Sequence, residues 1–375
     1  MKVKIFKSID DIDSGLWDSL LSEDEILKSY NFLKATEHSC LSECNFWYLL
    51  FYDGDILAAH AAFFTIYSNI EEASSTGVKN LFNKIREVFP GFMRVKYLGC
   101  GTPVATCSNV ISISAPYYRE EVLSLMVRNA KEIASIEKAN AILFRDFSKE
   151  EAEVLNAMTD SGFLRISTLP TSFVDVKWKS FEEYMGSFKK KYRYNMKKNI
   201  SKLDENDIYI EVCSEFEQYA EDICKLYANV YDKANTKFEK LNPSFFANIS
   251  KYLAGRSQVL LFRRKDEIIG FELIVEDKNI LRPLYLGIDY RFNENCGLYF
   301  NLIYRILGFG IERGKKLVEL GQTTYYPKLS VGARVEPLYM YIRFINPILH
   351  ALLRKPLSYL FPERVFAPKD VFKDK

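Results

Sequence analysis

Apolar and polar positions follow two similar series along the chain, and each series starts with a pattern typical of a β-hairpin. In the first, apolar runs within residues 46–65 flank Asp53-Gly54, a dipeptide that favours a tight turn. In the second, apolar runs within residues 258–275 flank the charged segment 265–267. We therefore expect a strand, a short turn and an antiparallel strand in both halves.

Each hairpin is followed by the same succession of elements, namely a strand ending in Tyr-Leu-Gly, a long helix and a short apolar strand. The members are Tyr97-Leu98-Gly99, 116–138 and 141–144 in the first half, and Tyr285-Leu286-Gly287, 297–313 and 317–320 in the second. Recurrence at such a large spacing predicts two copies of one structural unit. Chance recurrence within an ordinary α/β chain is the alternative.

The boundary between the copies is predicted next to Pro170. Proline restricts the residue before it, and a new strand pattern, 172–178, starts directly afterwards. We therefore expect an N-terminal domain at 1–170 and a C-terminal domain at 171–375. Residues 70–80 are expected to form an exposed loop, because they combine acidic, serine and glycine residues.

Length and composition narrow the class of protein. A chain of 375 residues with 48% apolar residues can fill two cores. Its 51 basic and 49 acidic residues nearly balance, so the chain lacks the strongly positive net charge that is typical of a DNA-binding protein. The seven cysteines include no CxxC pair, and the sequence shows neither a signal peptide nor an apolar run long enough to span a bilayer. We therefore expect a cytoplasmic protein without a transmembrane segment.

The strongest local charge is the run 188–202, which has seven Lys or Arg residues and no acid. On a helix, Lys190, Arg193 and Lys197 contribute to one broadly cationic face. Such a face suits the phosphates of coenzyme A, of a carrier protein's phosphopantetheine, of tRNA or of a lipid headgroup. A solvated helix face is the alternative. With only three scattered histidines, we expect no metal site and no permanently bound cofactor.

A second candidate region lies after the short strand 317–320. The pattern predicts a polar loop there that presents Tyr325, Tyr326 and Lys328, and Gly332 permits a tight turn. A loop at the end of a strand is a common place for catalytic side chains.

Short motifs in a characteristic order connect these features with a known group of enzymes. The motifs are Leu16-Trp17-Asp18, Tyr30-Asn31-Phe32-Leu33, Glu37-His38-Ser39, the strand 172–178 with the basic helix after it, and a Tyr-x-x-Lys-x-x-x-Gly pattern ending at Gly332. Together they resemble tandem N-acyltransferases of the GNAT superfamily, which include the BioF-associated acetyltransferase-like proteins and the Fem peptidyltransferases. The resemblance covers most of the chain.

The resemblance implies an α/β (α+β) fold of two tandem GNAT-like domains, each a mixed, mostly antiparallel twisted sheet flanked by helices. It implies amide formation by direct attack of an amine on an activated acyl group, without a covalent enzyme intermediate. The active site would lie in the C-terminal domain, and the N-terminal domain would be mainly structural or acceptor-binding. Lys328 matches the lysine of the family's terminal motif, where a cation neutralises a phosphate or stabilises the carbonyl oxygen. A solvent-facing loop lysine is the alternative.

Four further side chains are candidates for proton transfer. Tyr285 and Tyr326 are candidate proton donors, although a chain with 24 tyrosines uses most of them for packing. Glu272 interrupts the apolar run 268–275 and Asp289 follows a Tyr-Leu-Gly strand end, so both are candidate bases, directly or through a water. For Glu272, an outward-facing strand position is the alternative.

The acyl donor stays open at this point. Single-domain GNAT enzymes hold the pyrophosphate of coenzyme A in a glycine-rich loop before a helix. Here only Arg291 and Gly297 match that loop, and Glu294 would repel phosphate. Acyl-CoA, an acyl carrier protein and an aminoacyl-tRNA are therefore all candidate co-substrates, with a small-molecule or peptide amine as acceptor.

Two alternatives to simple acyl transfer follow. A Fem-like enzyme would use aminoacyl-tRNA in cell-wall or peptide natural-product biosynthesis, and a catalytically inactive GNAT-like module would only bind its ligand. Separately, the apolar run 344–353 followed by Arg354 and Lys355 is a candidate for peripheral membrane contact. A short helix that closes the core is the alternative reading of that run.

Overall fold

The computed structural model describes residues 1–41, 44–69, 76–89, 94–104, 107–114, 119–155, 157–234, 237 and 239–373. Its strands are β1 (Lys2–Phe6), β2 (Asn45–Asp53), β3 (Ile56–Asn69), β4 (Arg94–Cys100), β5 (Ile111–Ile113), β6 (Ala141–Phe147), β7 (Leu164–Ser167), β8 (Thr171–Asp175), β9 (Ile208–Cys213), β10 (Ser257–Arg264), β11 (Glu267–Glu276), β12 (Ile280–Ile288), β13 (Leu317–Gly321), β14 (Arg334–Glu336) and β15 (Tyr339–Phe344).

The helices, in chain order, are α1 (Ser14–Asp18), α2 (Tyr30–Glu37), α3 (Thr76–Val88), α4 (Arg119–Ile136), α5 (Lys149–Val154), α6 (Ala157–Asp160), α7 (Phe181–Ser187), α8 (Lys190–Glu205), α9 (Ala220–Lys233), α10 (Pro243–Tyr252), α11 (Tyr290–Cys296), α12 (Leu298–Glu312), α13 (Tyr325–Ser330) and α14 (Pro347–Leu360). Short 3-10 turns lie at Ile9–Asp11, Ile26–Lys28 and Glu217–Tyr219.

Two mixed, mostly antiparallel sheets organise these elements, which confirms the predicted fold class. The first has the order β1-β2-β3-β4-β6-β15-β7, with β5 beside β3, and the second has the order β14-β8-β13-β12-β11-β10-β9. In each sheet one central pair is parallel, β4 with β6 and β12 with β13. Helix α4 packs on β4 and β6, and the corresponding helix α12 packs on β11, β12 and β13. The same unit is therefore built twice.

The two sheets are linked by more than the chain between them. The chain leaves the first sheet after β7 and enters the second at β8, close to Pro170, but β15 returns to the first sheet between β6 and β7. In addition, α2 of the first half packs against α10 of the second. The sequence boundary at 170 stays a prediction, and one strand from beyond it, β15, belongs to the first sheet.

The strands and helices expected from the hydrophobic pattern occur close to the predicted bounds, but two segments predicted as loops are helical. The polar loop predicted to present Tyr325, Tyr326 and Lys328 is helix α13. Residues 76–80, predicted as part of an exposed loop, form the start of α3, and residues 70–75 lie outside the described residues. The prediction gave weight to Gly77 and the preceding serines. It did not take into account Leu81 and Ile85, two apolar residues one helical turn apart, which favour a helix that continues after Gly77.

The third strand of each unit is built differently in the two halves. In the first half, β4 and β5 run in line along β3, and residues 101–104 and 107–110 lie outside both strands between them. The backbone N–H of Gly101 donates to Ala62 O at 2.9 Å, and the N–H of Ala62 donates to Val110 O at 3.2 Å. Both ends of this excursion are therefore hydrogen-bonded to the same residue of β3. In this way Cys107 is carried out of the first half towards the second.

In the second half, the parallel pair comes apart. Strands β12 and β13 pair only at Ile280 with Leu317 and at Leu281 with Val318, whereas β4 and β6 keep four paired positions. From Arg282 onward, the edge of β12 no longer faces a paired strand on that side. The gap between the diverging strands is where a ligand can enter the sheet.

Gly287 sits at the closest approach of a helix to this strand. A Cβ at this position would lie 2.4 Å from the Phe271 ring and 2.5 Å from backbone atoms of Leu226 and Tyr227 in α9. We expect Gly287→Ala to lower the free energy of unfolding by about 3 kcal/mol, because helix backbone cannot give way as a flexible side chain can. Chemical denaturation measures the effect.

The matched control for this prediction is Gly186→Ala. Gly186 lies in α7 with nothing within 4 Å of an added Cβ, so the substitution keeps or slightly raises stability. Equal stability of the two variants would contradict the proposed close contact at Gly287.

Candidate active site

The diverging ends of β12 and β13 enclose a cavity of about 240 Å³. Glu272 of β11, Tyr299 of α12, Glu319 of β13 and Lys328 of α13 line it, together with Cys107 from the excursion of the first half. Acidic, basic and phenolic groups are therefore brought together from distant parts of the chain. Concave sites with a few convergent polar groups are the usual form of small-ligand sites.

Lys328 lies inside this cavity and not in a solvent-facing loop. The predicted polar loop is the short helix α13, and Lys328 is only 5% exposed. Its Nζ donates to the carbonyl oxygens of Gly321 and Gln322 at 3.0 and 2.6 Å. Burial lowers the pKa of Lys328 to about 8. The chain reaches α13 through Thr323 and Thr324, which both have a left-handed backbone, an uncommon conformation for threonine.

Glu272 is the second buried charge of the cavity. It is 5% exposed in the middle of β11, opposite Leu286 of β12, so the outward-facing alternative is wrong. Its Oε2 atom is buried and has no hydrogen-bond partner. Burial raises the pKa of Glu272 to about 8, against the opposing effect of the Lys328 charge. A buried carboxyl oxygen without a partner needs a ligand or water to complete it.

In contrast to Glu272, the neighbouring carboxylate of Glu319 accepts hydrogen bonds at both of its oxygens. It accepts hydrogen bonds from Arg282 Nε at 2.9 Å and from Thr171 Oγ1 at 3.1 Å. Arg282 is in turn paired with the buried Asp277. Burial raises the pKa of Glu319, and Arg282 opposes that shift. Glu319 was not among the predicted residues, although an acid within the apolar strand 317–321 is the same signal that indicated Glu272.

The two candidate tyrosines, Tyr285 and Tyr326, and the cavity residue Tyr299 occupy different surroundings. Tyr285 lines the cavity, but its hydroxyl donates to Oε1 of the buried Glu239. Tyr299 lies at the start of α12, and burial raises its pKa. Tyr326 is exposed on the other side of α13, where Lys369 Nζ lies 3.2 Å from its ring centroid. Tyr326 does not line the cavity.

Asp289, Arg291 and Gly297 lie outside the cavity as well. The Asp289 side chain caps α11 by accepting from Arg291 N at 2.9 Å, and the Arg291 guanidinium pairs with both Asp289 and Glu267. Gly297 has φ 60° at the joint between α11 and α12. Two carboxylates already neutralise Arg291, so this loop does not present a ready phosphate site.

The basic helix is α8, and its cations face solvent. Lys190 and Lys197 are exposed and Arg193 is half-buried, and these residues line a shallow surface groove with Tyr194. Arg193 Nη1 lies 3.5 Å from Gly186 O. Helix α8 packs against α12, and Tyr299 in the first turn of α12 lines the cavity.

Comparison with known proteins agrees with this architecture. The family model described as FemAB-like, peptidoglycan biosynthesis/recognition, matches residues 8–355. The chain belongs to the FemAB-like family. It is also 27% identical over 357 residues to a Mycobacterium tuberculosis protein named as an 8-amino-7-oxononanoate synthase 2, covering 92% of this chain and 46% of that protein. The chain thus spans about half the length of the curated relatives it matches.

Two solved structures show that the fold is shared at low sequence identity. FemX superposes with a TM-score of 0.58 at 12% identity, covering 94% of this chain and 100% of FemX. A tandem GNAT protein from the clavulanic acid biosynthesis pathway superposes with a TM-score of 0.51 at 8% identity, covering 92% of this chain and 99% of that one. The predicted membership of a Fem-like family and the predicted GNAT-like fold are confirmed.

The first half of this FemAB-like protein also holds a cavity, of about 240 Å³, beside β5 and the end of β6. Its lysine, Lys28, is neutralised by Glu25 at 2.7 Å, and its amide, Asn109, donates to Glu151 at 2.8 Å. Most of its polar groups thus satisfy each other. In the second half, Lys328 is bonded only to carbonyl oxygens and Glu272 keeps an unpartnered oxygen.

No helix within the described residues of this FemAB-like protein is both long and apolar enough to cross a bilayer.

Proposed function

We propose that the protein forms an amide by moving an acyl group from an activated donor to an amine in the cavity between β12 and β13. The observation that carries the proposal is the pair Glu272 and Lys328. Both are buried in one cavity, each pKa is shifted to about 8, and Lys328 is bonded to backbone carbonyls and not to Glu272. Acid and base groups of matched pKa in a cleft are typical of catalytic sites.

The reaction follows from the roles of these two groups. The neutral amine nitrogen attacks the acyl carbonyl carbon, and the Glu272 carboxylate accepts one proton from that nitrogen. The electron pair of the C=O bond moves to the oxygen. That pair then returns to re-form the C=O bond while the bond between carbon and the leaving sulfur or oxygen breaks with its electrons on the leaving atom. The leaving group takes the proton from Glu272, which restores the carboxylate. No covalent bond to the enzyme is needed.

Lys328 stabilises the negative oxygen in this sequence. An ammonium group has three N–H donors, and Lys328 gives two of them to Gly321 O and Gln322 O. Those two bonds fix the group within the cavity and leave the third donor for the substrate. A donor held in place before the reaction, in a site shielded from water, is the most effective way to stabilise an oxyanion.

The shape of the cavity suits an extended donor such as a pantetheine thioester. The edge of β12 beyond Leu281 is not paired with β13, so its backbone groups can bond to the amides of a pantetheine arm as a further strand would. Acyl-CoA and an acyl carrier protein share this arm. The cations of α8, and not the neutralised Arg291, are then the groups that meet the donor's phosphates.

An aminoacyl-tRNA donor is the second candidate, and one observation favours it. Tyr194 is exposed among the cations of α8, and an aromatic ring between cations is a typical stacking platform for single-stranded nucleic acid. The family description, peptidoglycan biosynthesis/recognition, further suggests an amine of a peptidoglycan precursor as acceptor. The same catalytic pair, Glu272 and Lys328, serves either donor, because both carry an activated carbonyl.

The donor is tested with variants of the α8 groove. For an acyl-CoA enzyme, we expect Arg193→Ala combined with Lys197→Ala to raise KM for acyl-CoA about tenfold, because two phosphate contacts are lost. The same variant keeps its KM for the corresponding acyl-N-acetylcysteamine thioester, which has no phosphate. Steady-state kinetics with both thioesters measures the effect. Lys2→Ala combined with Lys251→Ala, two exposed lysines elsewhere, is the control.

Other outcomes separate the alternatives. Turnover only with aminoacyl-tRNA, abolished by ribonuclease, would assign the Fem-like reaction. Equal KM changes for both thioesters would contradict a phosphate role for α8. Donor binding without amide formation with any thioester or aminoacyl-tRNA would contradict catalysis and favour an inactive binding module.

A further inference from the structure

Helix α14 is apolar on two opposite faces. Its inner face packs on β15 and β7, with Leu357 buried and Leu349 and Leu353 partly buried. Its outer face presents Ile348 and Leu352, which are 70% and 68% exposed. A helix on the surface of a water-soluble domain is normally polar on its outer face, and a helix that is apolar all round is normally covered.

The exposed apolar surface continues onto the end of the first sheet. Ile345 follows β15 and donates its N–H to Asn140 O at 2.9 Å. Ile136 is the last residue of α4 and precedes Asn140 by four positions, so both exposed isoleucines lie at the same end of the sheet. We call this surface the C-terminal apolar patch; it consists of Ile136, Ile345, Ile348, Leu352 and Tyr359.

The charged residues of α14 itself have one sign. Residues 337–362 contain no aspartate or glutamate but include three arginine or lysine residues, Arg343, Arg354 and Lys355. Arg354 and Lys355 are exposed on α14. Glu137, the acid nearest to Ile136 in sequence, is bonded by Lys96 Nζ at 2.9 Å. The patch therefore combines apolar side chains with cations.

We propose that the C-terminal apolar patch binds the surface of an anionic lipid bilayer. The isoleucine and leucine side chains enter the boundary between headgroups and acyl chains, and Tyr359 has the amphipathic ring that is common at this depth. Arg354 and Lys355 meet the lipid phosphates. Helix α14 lies in the plane of the membrane, so the proposal concerns peripheral attachment. It is independent of the proposed acyl transfer, because the active-site cavity is in the other sheet.

Co-sedimentation with vesicles tests the proposal on the full chain. We expect the protein to bind vesicles that contain phosphatidylglycerol and phosphatidylcholine, and to bind pure phosphatidylcholine much more weakly. Ile348→Ser combined with Leu352→Ser weakens binding about tenfold or more, because two exposed side chains no longer enter the bilayer. Arg354→Gln combined with Lys355→Gln weakens binding about tenfold and removes most of its dependence on salt.

The control is Ile56→Ser. Ile56 is 66% exposed at the β2–β3 turn, at the opposite end of the sheet, so its substitution leaves binding unchanged. Equal weakening by Ile56→Ser, or no binding of the wild type to anionic vesicles, would overturn the proposal. A wild-type dimer in light scattering that Ile348→Ser with Leu352→Ser converts to a monomer would also overturn it, because the patch would then be an interface between copies of the chain.

Discussion

Glu272→Gln lowers kcat by a factor of about 10² to 10⁴, which is the usual contribution of a positioned general base. Glutamine keeps the size and burial of the side chain but cannot accept the proton of the attacking amine. The effect is measured as kcat for amide formation at saturating donor and acceptor. Because the proposed mechanism places Glu272 at the reacting amine and not at the donor's carrier, we expect KM for the donor to change little. Glu217→Gln, at an exposed position that does not line the cavity, serves as the control.

Although Glu272→Gln lowers kcat, we expect it to raise the stability of the folded protein at high pH. The pKa of Glu272 is raised to about 8 in the folded protein, well above its ordinary value of 4.5. Its contribution to stability is therefore complete below pH 4.5 and is lost as the pH rises through about 8. Glutamine has no proton to lose. At pH 9 we therefore expect the free energy of unfolding of the variant to exceed that of the wild type by on the order of 3 kcal/mol.

Thermal unfolding across this pH range measures the gain. Lys328 loses its charge with rising pH in the wild type and in the variant. Comparing the two proteins at each pH therefore largely removes the contribution of Lys328 to the difference in stability. A variant that is inactive and also less stable than the wild type at pH 9 would contradict a buried carboxyl at this site. An active variant of normal kcat would remove Glu272 from the mechanism.

The tandem fold could be predicted because its main signals are local. The two Tyr-Leu-Gly motifs mark corresponding strands, and both glycines are positions where a Cβ does not fit. At Gly99 it would meet the Phe64 ring at 2.8 Å, and at Gly287 it would meet the backbone of α9 at 2.5 Å. Hairpins and amphipathic helices are likewise set by residues close in sequence.

The surroundings of the candidate residues could not be predicted, because they depend on contacts between distant segments. Arg291 reads as a phosphate ligand in sequence, but the fold brings Glu267 to it from 24 positions away. Lys328 shares its cavity with Cys107, which comes from the other half of the chain. The return of β15 to the first sheet has no local signal either, since a strand pattern does not identify its partner.

The second large effect concerns Lys328. We expect Lys328→Met to lower kcat about 10²- to 10³-fold, because the apolar side chain fills a similar volume but donates nothing to the oxyanion. The wild type should have a narrow pH optimum near 8. Its rate rises as Glu272 loses a proton and falls as Lys328 loses one, and the pKa of each is about 8.

The variant changes both sides of that pH profile in a way that a purely structural lysine would not. The falling limb disappears, because no ammonium remains to lose its proton. The rising limb moves to higher pH, because the Lys328 charge lowers the pKa of Glu272 in the wild type and that effect is gone. Lys369→Met, next to α13 but outside the cavity, keeps the wild-type profile. A Lys328→Met enzyme with reduced kcat but an unchanged profile would mean that Lys328 only holds the segment 321–322 in place.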